Sequence, residues 1–503
     1  MSSPQLKVLM LCAHEPTLDP RIRWEAESAA GRAEVTVLGF NRDEETLPEC
    51  EIVGRYTLVR LTRNEVSGLY YFWRLKDVIP NRVRIPLGVV MVILWPILVP
   101  AEILIRLTHG SVCLVIGGAS RLISLSPLIA ALRHSTAAQF VHRLTARPRH
   151  IIAMLRAQFA TATSLFWNYL RDMPEKPNVV HCNDLDTLLV GVLAKRRYGC
   201  RVVFDAHEFY PHSDPDGRWL DITFFSLLER FLIRRADAVV TVNPLLAEAM
   251  REAYGLERVH AVPNAEPWVE DRPPPLPGSG MERLAAGRVK FLYQGLFTRG
   301  RGIDGLVEAW SKVDTTRTAL FLRGPDNVWR RQAIQCAARF GLLDRAVFFL
   351  DPVTEQQLIC AAAEADVGVI PYEPHVINNR LCCPNKLSQY LHAGLMVITN
   401  ELPYVKSVLA DADAGLSYDS SDPDSLAAVI MRIVQDPELL KRSRENALRF
   451  ARERFNWQAH AQTFDALYHA HDAGGEGGHR ILSSLQGSEV VQEGHLVLSR
   501  LRP

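Results

Sequence analysis

The chain has 503 residues, 48% of them hydrophobic and 22% charged, and a net charge of +1. This length exceeds what a single hydrophobic core supports, so we expect two or three domains. The composition is typical of a globular protein and excludes a wholly disordered chain, and the near-zero net charge by itself indicates no partner. The nine cysteines include no CxxC pair, which favours a reducing compartment, the cytosol or the cytosolic side of a membrane.

The first βαβ unit begins near the N-terminus. Residues 7–12 form a short apolar run typical of a buried parallel strand, and residues 35–39 form the next strand. Between them, a polar loop leads into a helix expected over residues 21–30. Open α/β sheets bind ligands at the carboxyl ends of their strands, so we expect this loop to line a cleft. Its candidate acceptor-side residues are His14, Asp19 and Arg21.

The segment 63–173 departs from this alternation. Residues 85–107 contain one acid and one base and are long enough to span a bilayer, but three prolines interrupt them. From Arg55 to Arg171 the chain has 15 basic residues and three acidic ones, a net charge of +12. These surroundings favour an interfacial helix on anionic lipid, while a spanning or re-entrant segment and a buried core helix stay open. We therefore predict a helical insertion that associates peripherally or monotopically with the cytoplasmic side of a membrane.

A second group of strands follows, at residues 179–182, 201–204, 238–242 and 259–264. Helices are expected between them, including one over residues 220–235. Polar side chains that would face the same cleft stand where two of these strands end: His181, Asn183, Asp184, His207 and Glu208. His207 is interpreted as a base, an orienting donor or a structural cap. No paired-Cys or HExxH spacing accompanies these residues, so no metal is predicted.

The proline-rich stretch 273–280 indicates a linker, after which a second α/β series begins. Its strands are expected at residues 289–293, 319–322, 346–350, 365–370 and 396–399. We predict a first domain over residues 1–268, a linker over 269–285, a second domain over 286–445, a helix over 446–472 that returns to the first domain, and a flexible tail over 473–503.

The turn after the first strand of the second half carries Gly300-Arg-Gly302-Ile-Asp-Gly305. This GxGxxG pattern follows a strand and precedes a helix, which is typical of phosphate binding at a helix N-terminus. A dinucleotide fold is the weaker alternative, because two arginines, Arg299 and Arg301, occupy the turn and the next strand ends in Arg323 rather than an acid. The arginines favour a bound phosphate.

The stretch PNKLSQYLHAGLMVIT, residues 384–399, predicts a helix that ends at Gly394, followed by a buried strand. Lys386 in the first turn of this helix opposes the helix dipole, and an anionic ligand at the helix start would explain its presence. A solvated surface lysine is the alternative.

These segments resemble glycosyltransferase family four, a family of retaining nucleotide-sugar transferases with the GT-B fold. The resemblance covers residues 5–50 and 176–472. It is carried by DPRIRWEAESAA, VVHCNDLDTLLVG, VVFDAHEFYP, YQGLFTRGRGIDGLVEAW and PNKLSQYLHAGLMVIT. It implies an α/β architecture in which two Rossmann-like domains face a cleft, here with the membrane-associating insertion in the first domain.

The resemblance also implies residue roles. Arg301 and Lys386 would contact the donor diphosphate and His207 the donor sugar, so these three are the expected catalytic residues. The remaining donor-binding candidates are Gly295, Arg299, Gly300, Gly302, Arg323, Asn385 and Gln389. The family commonly has two glutamates separated by seven residues, and this chain has Leu381 and Gln389 at those positions.

We therefore expect a metal-independent, retaining glycosyltransferase whose donor is a nucleotide-diphosphate sugar, with UDP the expected nucleotide and no further cofactor. Its acceptor is expected to be lipid-linked or a polysaccharide. Its other expected partner is an anionic membrane surface, and no nucleic acid is expected. Two alternatives stay open: a GT-B nucleotide-sugar epimerase, and a non-catalytic membrane-bound subunit, which Leu381 and Gln389 would favour.

Overall fold

The structure is a computed structural model that describes residues 5–41, 47–62, 159, 161–213, 219–270 and 280–469. The chain divides into two compact units. The first contains residues 1–60, 176–195 and 199–503, and the second contains residues 61–175 and 196–198.

The first unit contains two separate β-sheets. The N-terminal sheet has eight strands in the order β3-β4-β2-β1-β5-β6-β7-β8. Its strands are β1 (Leu6–Leu11), β2 (Ala33–Phe40), β3 (Cys50–Val53), β4 (Tyr56–Leu61), β5 (Val179–Asn183), β6 (Arg201–Ala206), β7 (Ala238–Thr241) and β8 (His260–Ala261). Strand β1 lies at the centre, between β2 and β5, in parallel register with both.

The C-terminal sheet of the described residues has six strands, in the order β11-β10-β9-β12-β13-β14, and neighbouring strands in it run parallel. Its strands are β9 (Val289–Gln294), β10 (Thr318–Arg323), β11 (Val347–Leu350), β12 (Val367–Ile370), β13 (Met396–Thr399) and β14 (Gly415–Ser417). Apolar residues dominate these strands because helices cover both faces of a parallel sheet.

The described helices connect the strands in sequence order. They are α1 (Pro20–Ala29), α2 (Thr161–Asp172), α3 (Leu185–Tyr198), α4 (Trp219–Ile233), α5 (Pro244–Tyr254), α6 (Met281–Ala285), α7 (Ile303–Ala309), α8 (Val328–Arg339), α9 (Leu358–Ala362), α10 (Ile377–Arg380), α11 (Asn385–Ala393), α12 (Pro403–Ala412), α13 (Pro423–Gln435), α14 (Pro437–Glu453), α15 (Trp457–His460) and α16 (Gln462–His469).

Capping residues set the boundaries of the helices that matter most for the site. Helix α1 begins at Pro20 because the preceding Asp19 side chain accepts a hydrogen bond from the Arg21 amide. Helix α11 ends because Gly394 takes a left-handed conformation, with φ of 72°. Both ends of α11 therefore lie where the sequence predicts them.

The predicted α/β architecture with two Rossmann-like domains is confirmed. Two local expectations were less accurate. The strand expected over residues 259–264 is only His260–Ala261, and the antiparallel β3–β4 hairpin was not anticipated. Residues 85–107, the linker 273–279 and the tail from residue 470 onward lie outside the described residues, so the predictions about them stay predictions.

The last two helices complete the core of the N-terminal sheet. Trp457, Phe464 and Tyr468 are buried in the same apolar cluster as residues of β1, β2 and α1. The ring of Trp457 lies 5.6 Å from that of Trp24 in α1. The hydrophobic core of the first domain is thus made from both ends of the described chain.

In the second unit, the structure describes helix α2, and the ring of Trp167 in this helix stacks on Tyr198 with centroids 5.8 Å apart. Among the residues that the structure describes, no helix is both long and apolar enough to cross a bilayer.

Candidate functional site

Two basic side chains of the C-terminal domain converge on the phenol of Tyr372. Lys386, in the first turn of α11, donates a hydrogen bond of 2.7 Å from Nζ to the Tyr372 hydroxyl. Arg301, in the turn before α7, places its guanidinium carbon 3.9 Å from the centre of the same ring. The Lys386 ammonium also lies 4.9 Å from the ring of Tyr293. The fold thus brings together two positive charges that are distant in sequence.

Neither of these cations has an ion pair with a carboxylate among the described residues. Burial lowers the pKa of the Lys386 ammonium, and the charge of Arg301 acts in the same direction. Two neighbouring positive charges without counter-ions raise the free energy of the ligand-free protein. An anion bound between them would remove that cost, so the geometry fits a multiply charged group such as a diphosphate.

Two glycines allow the close approaches that this site requires. Gly295, which follows β9, has φ of +136°, and a Cβ there would lie 2.9 Å from Nζ of Lys386. Gly302, which precedes α7, has φ of +66°, and a Cβ there would lie 1.9 Å from the carbonyl oxygen of Pro371. A side chain at either position would displace the lysine or the turn.

Three other residues predicted to bind the donor adjoin Arg301 or Lys386 in the sequence. Gly300 lies within the turn, where its carbonyl oxygen accepts a hydrogen bond of 2.8 Å from the Asn379 amide. Arg299 is exposed on the same turn, and Asn385 is half-buried as the first residue of α11.

Arg323 is buried at the carboxyl end of β10, directly beside Gln294 of β9. Its Nη1 donates a hydrogen bond of 3.1 Å to the Gln294 side chain, and burial lowers its pKa. Among the described residues its Nε has no hydrogen-bond partner, although this atom is buried. Arg323 is therefore a third cation at the carboxyl edge of the sheet, next to the strand that leads into Gly295.

His207 is surrounded by acidic side chains at the carboxyl edge of the N-terminal sheet. Its Nδ1 lies 3.0 Å from Asp19 and 3.6 Å from Asp184, and its Nε2 lies 3.2 Å from Asn183 and 3.5 Å from Asp205. Burial by itself lowers the pKa of His207, but Asp184 and Asp19 together raise it well above its ordinary value. The imidazole is therefore protonated at neutral pH and offers hydrogen bonds and positive charge rather than basicity.

The backbone of Asp184 is strained where it supports His207. Asp184 has φ of 60°, a conformation that favours glycine, and it is held there by a 2.9 Å hydrogen bond from its amide to the carbonyl of Asp205. Its carboxylate accepts a hydrogen bond of 3.1 Å from the His207 amide. Strain of this kind persists only where the surroundings impose it, and it concentrates at functional sites.

Arg21 and His181 lie in the core rather than in the cleft, so their predicted placement is wrong. The Arg21 guanidinium donates two hydrogen bonds to Asp205, of 2.7 and 3.0 Å. His181 lies 2.5 Å from the Tyr468 hydroxyl through Nδ1, beneath helix α16. Strand periodicity predicts which side chains share a face, but not that the C-terminal helices cover it. Arg21 instead fixes Asp205, one of the carboxylates around His207.

Glu25, His181 and Asp205 are the residues of the described part whose ligand atoms are close enough for a metal, within 4.8 Å of one another. The Nε of Arg21 lies 2.7 Å from Asp205 and 3.1 Å from Glu25. The guanidinium therefore already supplies the positive charge that these carboxylates need, and the group fits an internal ion cluster better than a metal site.

The other acceptor-side candidates have mixed surroundings. Asn183 is buried, and its amide donates a hydrogen bond of 3.1 Å to the carbonyl of Leu11 while its oxygen faces His207. His14 is half-buried, with Nδ1 3.0 Å from the carbonyl oxygen of Glu15. Asn183 thus positions His207, whereas His14 stands at the loop edge.

Glu208 connects the two domains through Asn378, a residue that sequence reasoning missed. The Asn378 amide donates a hydrogen bond of 2.8 Å to Glu208, and its oxygen accepts one of 3.1 Å from the Phe209 amide. Burial, with Asp184 acting in the same direction, raises the pKa of Glu208 to about 7. The positive charges of His207 and Arg301 act in the opposite direction on the pKa of Glu208, so this carboxyl is within electrostatic range of both.

The two positions where the family commonly has glutamate differ in their surroundings. The Leu381 side chain is buried, and its carbonyl oxygen accepts a 2.6 Å hydrogen bond from the Asn243 side chain. Gln389 is buried near the side chain of Glu266 and lowers the pKa of that carboxyl, although burial and nearby Glu355 raise the pKa to about 7. No pattern in the sequence pointed to Glu266, yet this carboxyl lies beside Gln389, the position that lacks a glutamate.

Two family models match the chain. The model described as "Glycosyl transferase 4-like domain" matches residues 100–265, and the one described as "Glycosyl transferases group 1" matches residues 288–436. Together the two models cover more than half of the chain, one on each sheet-forming half. The fold and the two family matches therefore define a glycosyltransferase with the GT-B architecture.

Similarity to individual proteins is low in sequence and extensive in structure. A glycogen synthase of Mycobacterium tuberculosis is 22% identical over 311 residues, which are 59% of this chain and 70% of that protein. A lipopolysaccharide core biosynthesis glycosyltransferase of Rhizobium meliloti is 25% identical over 232 residues, 46% of this chain and 63% of that protein. An Anabaena protein solved with UDP-glucose superposes with a TM-score of 0.55 at 12% identity, covering 92% of this chain and 98% of that one. The chain belongs to the GT4-type glycosyltransferases.

Proposed function

We propose that this protein transfers a sugar from a nucleotide-diphosphate sugar, with UDP as the nucleotide, to a glycan acceptor carried on a lipid, with retention of anomeric configuration. The observation that carries the donor half is the convergence of Arg301 and Lys386 on Tyr372 without a carboxylate partner in the described residues. The Anabaena protein with UDP-glucose and the lipopolysaccharide glycosyltransferase of Rhizobium support the choice of nucleotide and of a lipid-borne acceptor.

In the proposed reaction the bond between the anomeric carbon and the phosphate oxygen breaks, so negative charge develops on the leaving diphosphate. Arg301, Lys386 and the positive end of the α11 dipole would stabilise that charge, more strongly in the transition state than in the bound donor. In a single-step transfer, retention requires the acceptor hydroxyl to approach the face that the diphosphate leaves. A diphosphate oxygen can then accept the hydroxyl proton while the new glycosidic bond forms.

His207 would hold the donor sugar as a protonated hydrogen-bond donor. Because Asp19 and Asp184 keep its imidazole charged, it cannot accept a proton from the acceptor. Its contribution would be to position the donor sugar through hydrogen bonds to its hydroxyls, and not to place charge at the anomeric carbon, because that carbon itself becomes positive during transfer. This role differs from that of the general base that the sequence left open.

The proposal is tested by a donor screen followed by a substitution. Thermal unfolding with UDP-, GDP- and dTDP-sugars should reveal stabilisation by a UDP-sugar, and Arg301→Ala should abolish both that stabilisation and transfer. The exposed Arg331→Ala, which removes a surface ion pair with Asp326, is the matched control and should change neither. Turnover by the Arg301 variant equal to that of the natural protein would refute the donor assignment.

A non-catalytic, nucleotide-sugar-binding subunit is the second candidate, and the burial of Leu381 together with the neutral Gln389 favours it. Binding of a nucleotide sugar without turnover, across lipid and glycan acceptors, would support this candidate. Turnover that needs no acceptor would instead indicate an epimerase.

A further inference from the structure

Helix α4 exposes a row of large apolar side chains. Trp219, Leu227 and Phe231 are 71%, 63% and 54% exposed, which places them among the most exposed large hydrophobic residues that the structure describes. The three are spaced by eight and four residues, so they share one face of the helix. Isolated apolar residues on a surface are common, but a row of three along one helix indicates an interaction surface.

The opposite face of α4 is anchored firmly to the N-terminal domain. Phe225 is buried, and its ring lies 5.5 Å from that of Tyr210. Glu229 is fully buried and accepts a hydrogen bond from the hydroxyl of Tyr254. The helix is therefore held in place by its buried face. The exposed apolar row is a second apolar face, and its exposure does not result from the helix being rotated out of the core.

Positive charge continues the apolar row at the C-terminal end of the helix. Arg230, Arg234 and Arg235 are exposed, and the guanidinium carbon of Arg235 lies 3.7 Å from the centre of the Phe231 ring. Arg234 also donates a hydrogen bond of 2.8 Å to the carbonyl of Tyr254, which fixes the position of its charge. Aromatic and aliphatic side chains beside arginines match the boundary between acyl chains and anionic headgroups.

We propose that this face of α4, defined by Trp219, Leu227, Phe231 and Arg230, docks the protein on an anionic phospholipid surface. The apolar side chains would enter the headgroup–acyl boundary, and the arginines would bind lipid phosphates. The surface is distinct from the basic segment 63–173, which lies largely outside the described residues. Docking by this surface is also independent of the donor chemistry. The proposal rests on the proposed function in one respect: the advantage of docking is access to a lipid-borne acceptor.

The position of the helix explains why docking here would serve the site. His207 and Glu208 are followed at once by Phe209 and by the 3-10 helix Tyr210–His212, which packs against Phe225 of α4. A membrane that holds the exposed face of α4 would therefore lie one helix away from the segment that follows His207 and Glu208. A lipid-borne acceptor could then reach the cleft without leaving the bilayer surface.

The test is co-sedimentation of the full chain with vesicles of phosphatidylcholine alone and of phosphatidylcholine mixed with phosphatidylglycerol. The natural protein should bind the mixed vesicles and lose binding as salt is raised, because the arginine–phosphate attraction is screened. Leu227→Glu with Phe231→Glu should weaken binding by about tenfold or more, since both side chains would otherwise be buried in the boundary. Arg230→Gln should weaken binding to the mixed vesicles only.

The matched control is Val328→Glu with Trp329→Glu at the start of α8 in the C-terminal domain, where the two side chains are 58% and 38% exposed. This control should bind vesicles as the natural protein does. If the α4 double variant does not fold, the single Leu227→Gln substitution replaces it, with a several-fold loss expected. Binding of a UDP-sugar and transfer to a soluble glycan should be unchanged in all variants, so failure of donor chemistry is distinguished from failure of docking.

Three outcomes would overturn the docking proposal. The first is vesicle binding that the α4 substitutions leave unchanged. The second is a dimer in the natural protein that these substitutions dissociate without any effect of vesicles, because the face would then be an interface between two copies. The third is a lowered unfolding temperature with vesicle binding intact, because another segment of the same chain would then cover the face.

Discussion

The Nζ of Lys386 donates its 2.7 Å hydrogen bond to the neutral hydroxyl of Tyr372, and this replaces the carboxylate that a buried lysine would ordinarily have. A phenol satisfies one donor without neutralising the charge. The site is thereby preorganised for an anion at some cost to the stability of the ligand-free protein, and that relation can be measured.

Replacing Lys386 with Met should separate donor binding from stability. The variant removes the charge but keeps an unbranched side chain, so donor affinity should fall by about 10- to 100-fold, the loss of a charged hydrogen bond worth ~1.5–3 kcal/mol. The ligand-free unfolding temperature should rise, because a buried ammonium is no longer desolvated. Calorimetry with a UDP-sugar and thermal unfolding measure the two effects, and Lys406→Met at an exposed position of α12 is the control. A stability loss in Lys386→Met would contradict the argument.

Replacing Gln389 with Glu should create a carboxyl pair with Glu266. Since Glu266 already has its pKa raised to about 7 by burial, a second carboxylate beside it should destabilise the protein increasingly as the pH rises above neutrality. The expected loss is about 1–3 kcal/mol, read from denaturant unfolding at pH 6 and pH 8.

The exchanged variant, Gln389→Glu with Glu266→Gln, has one carboxyl and one amide again and should recover most of the stability. A double variant that is less stable than Gln389→Glu alone would show that the two side chains do not interact as a pair.

Donor affinity should depend on the ionisation of Glu208. This group has a pKa raised to about 7 and lies under the influence of Arg301, so its deprotonation adds a negative charge near the diphosphate site. Affinity for a UDP-sugar should therefore fall as the pH rises through about 7. The phosphates of a nucleotide sugar are diesters and do not titrate in this range, so the dependence reports the protein. Glu208→Gln keeps the hydrogen bond to Asn378 and should make the affinity independent of pH; a dependence unchanged in this variant would assign it to another group.

The buried carboxyl of Glu229 should make stability depend on pH. Burial raises its pKa from 4.5 to about 8, so between these values the unfolded state loses a proton that the folded state keeps. Stability should fall as the pH rises through this window, and Glu229→Gln, which does not titrate, should be more stable than the natural protein by roughly 2–4 kcal/mol above pH 8. At pH 5 the difference should be small. Glu252→Gln, exposed on α5, should show no such pH-dependent gain.

The positions of the residues proposed to bind the donor follow from local sequence signals, and those of the residues proposed to face the acceptor do not. The positions of Gly302 and Lys386 are set by the start of a helix after a parallel strand, and such starts can be recognised from a glycine-rich turn or a proline with a C-capping glycine further on. The family resemblance adds the expectation that the turn before α7 and the start of α11 bind the same diphosphate. Each of these signals lies within about one helix length of the residue it places.

The errors involve contacts between segments far apart in sequence. His181 stands near a strand end, as Asn183 does, but it is buried because helix α16 covers that face of the sheet and the Tyr468 hydroxyl of α16 hydrogen-bonds its ring. Likewise Asn378 and Glu266 matter only through partners on the other domain or on α11. Periodicity and strand-end position carry no information about which distant segment supplies the covering layer.

Because Trp457 and Phe464 pack into the core of the N-terminal sheet, that core cannot be completed before the C-terminal sheet has been synthesised. A ribosome releases these residues after all those of the C-terminal sheet, so the N-terminal sheet remains without part of its core until translation has passed residue 469. A fragment ending at the linker would leave Trp24 and its neighbours open to water and prone to aggregation. Expression of the N-terminal domain by itself would therefore require residues 457–469 to be supplied, either in trans or by circular permutation.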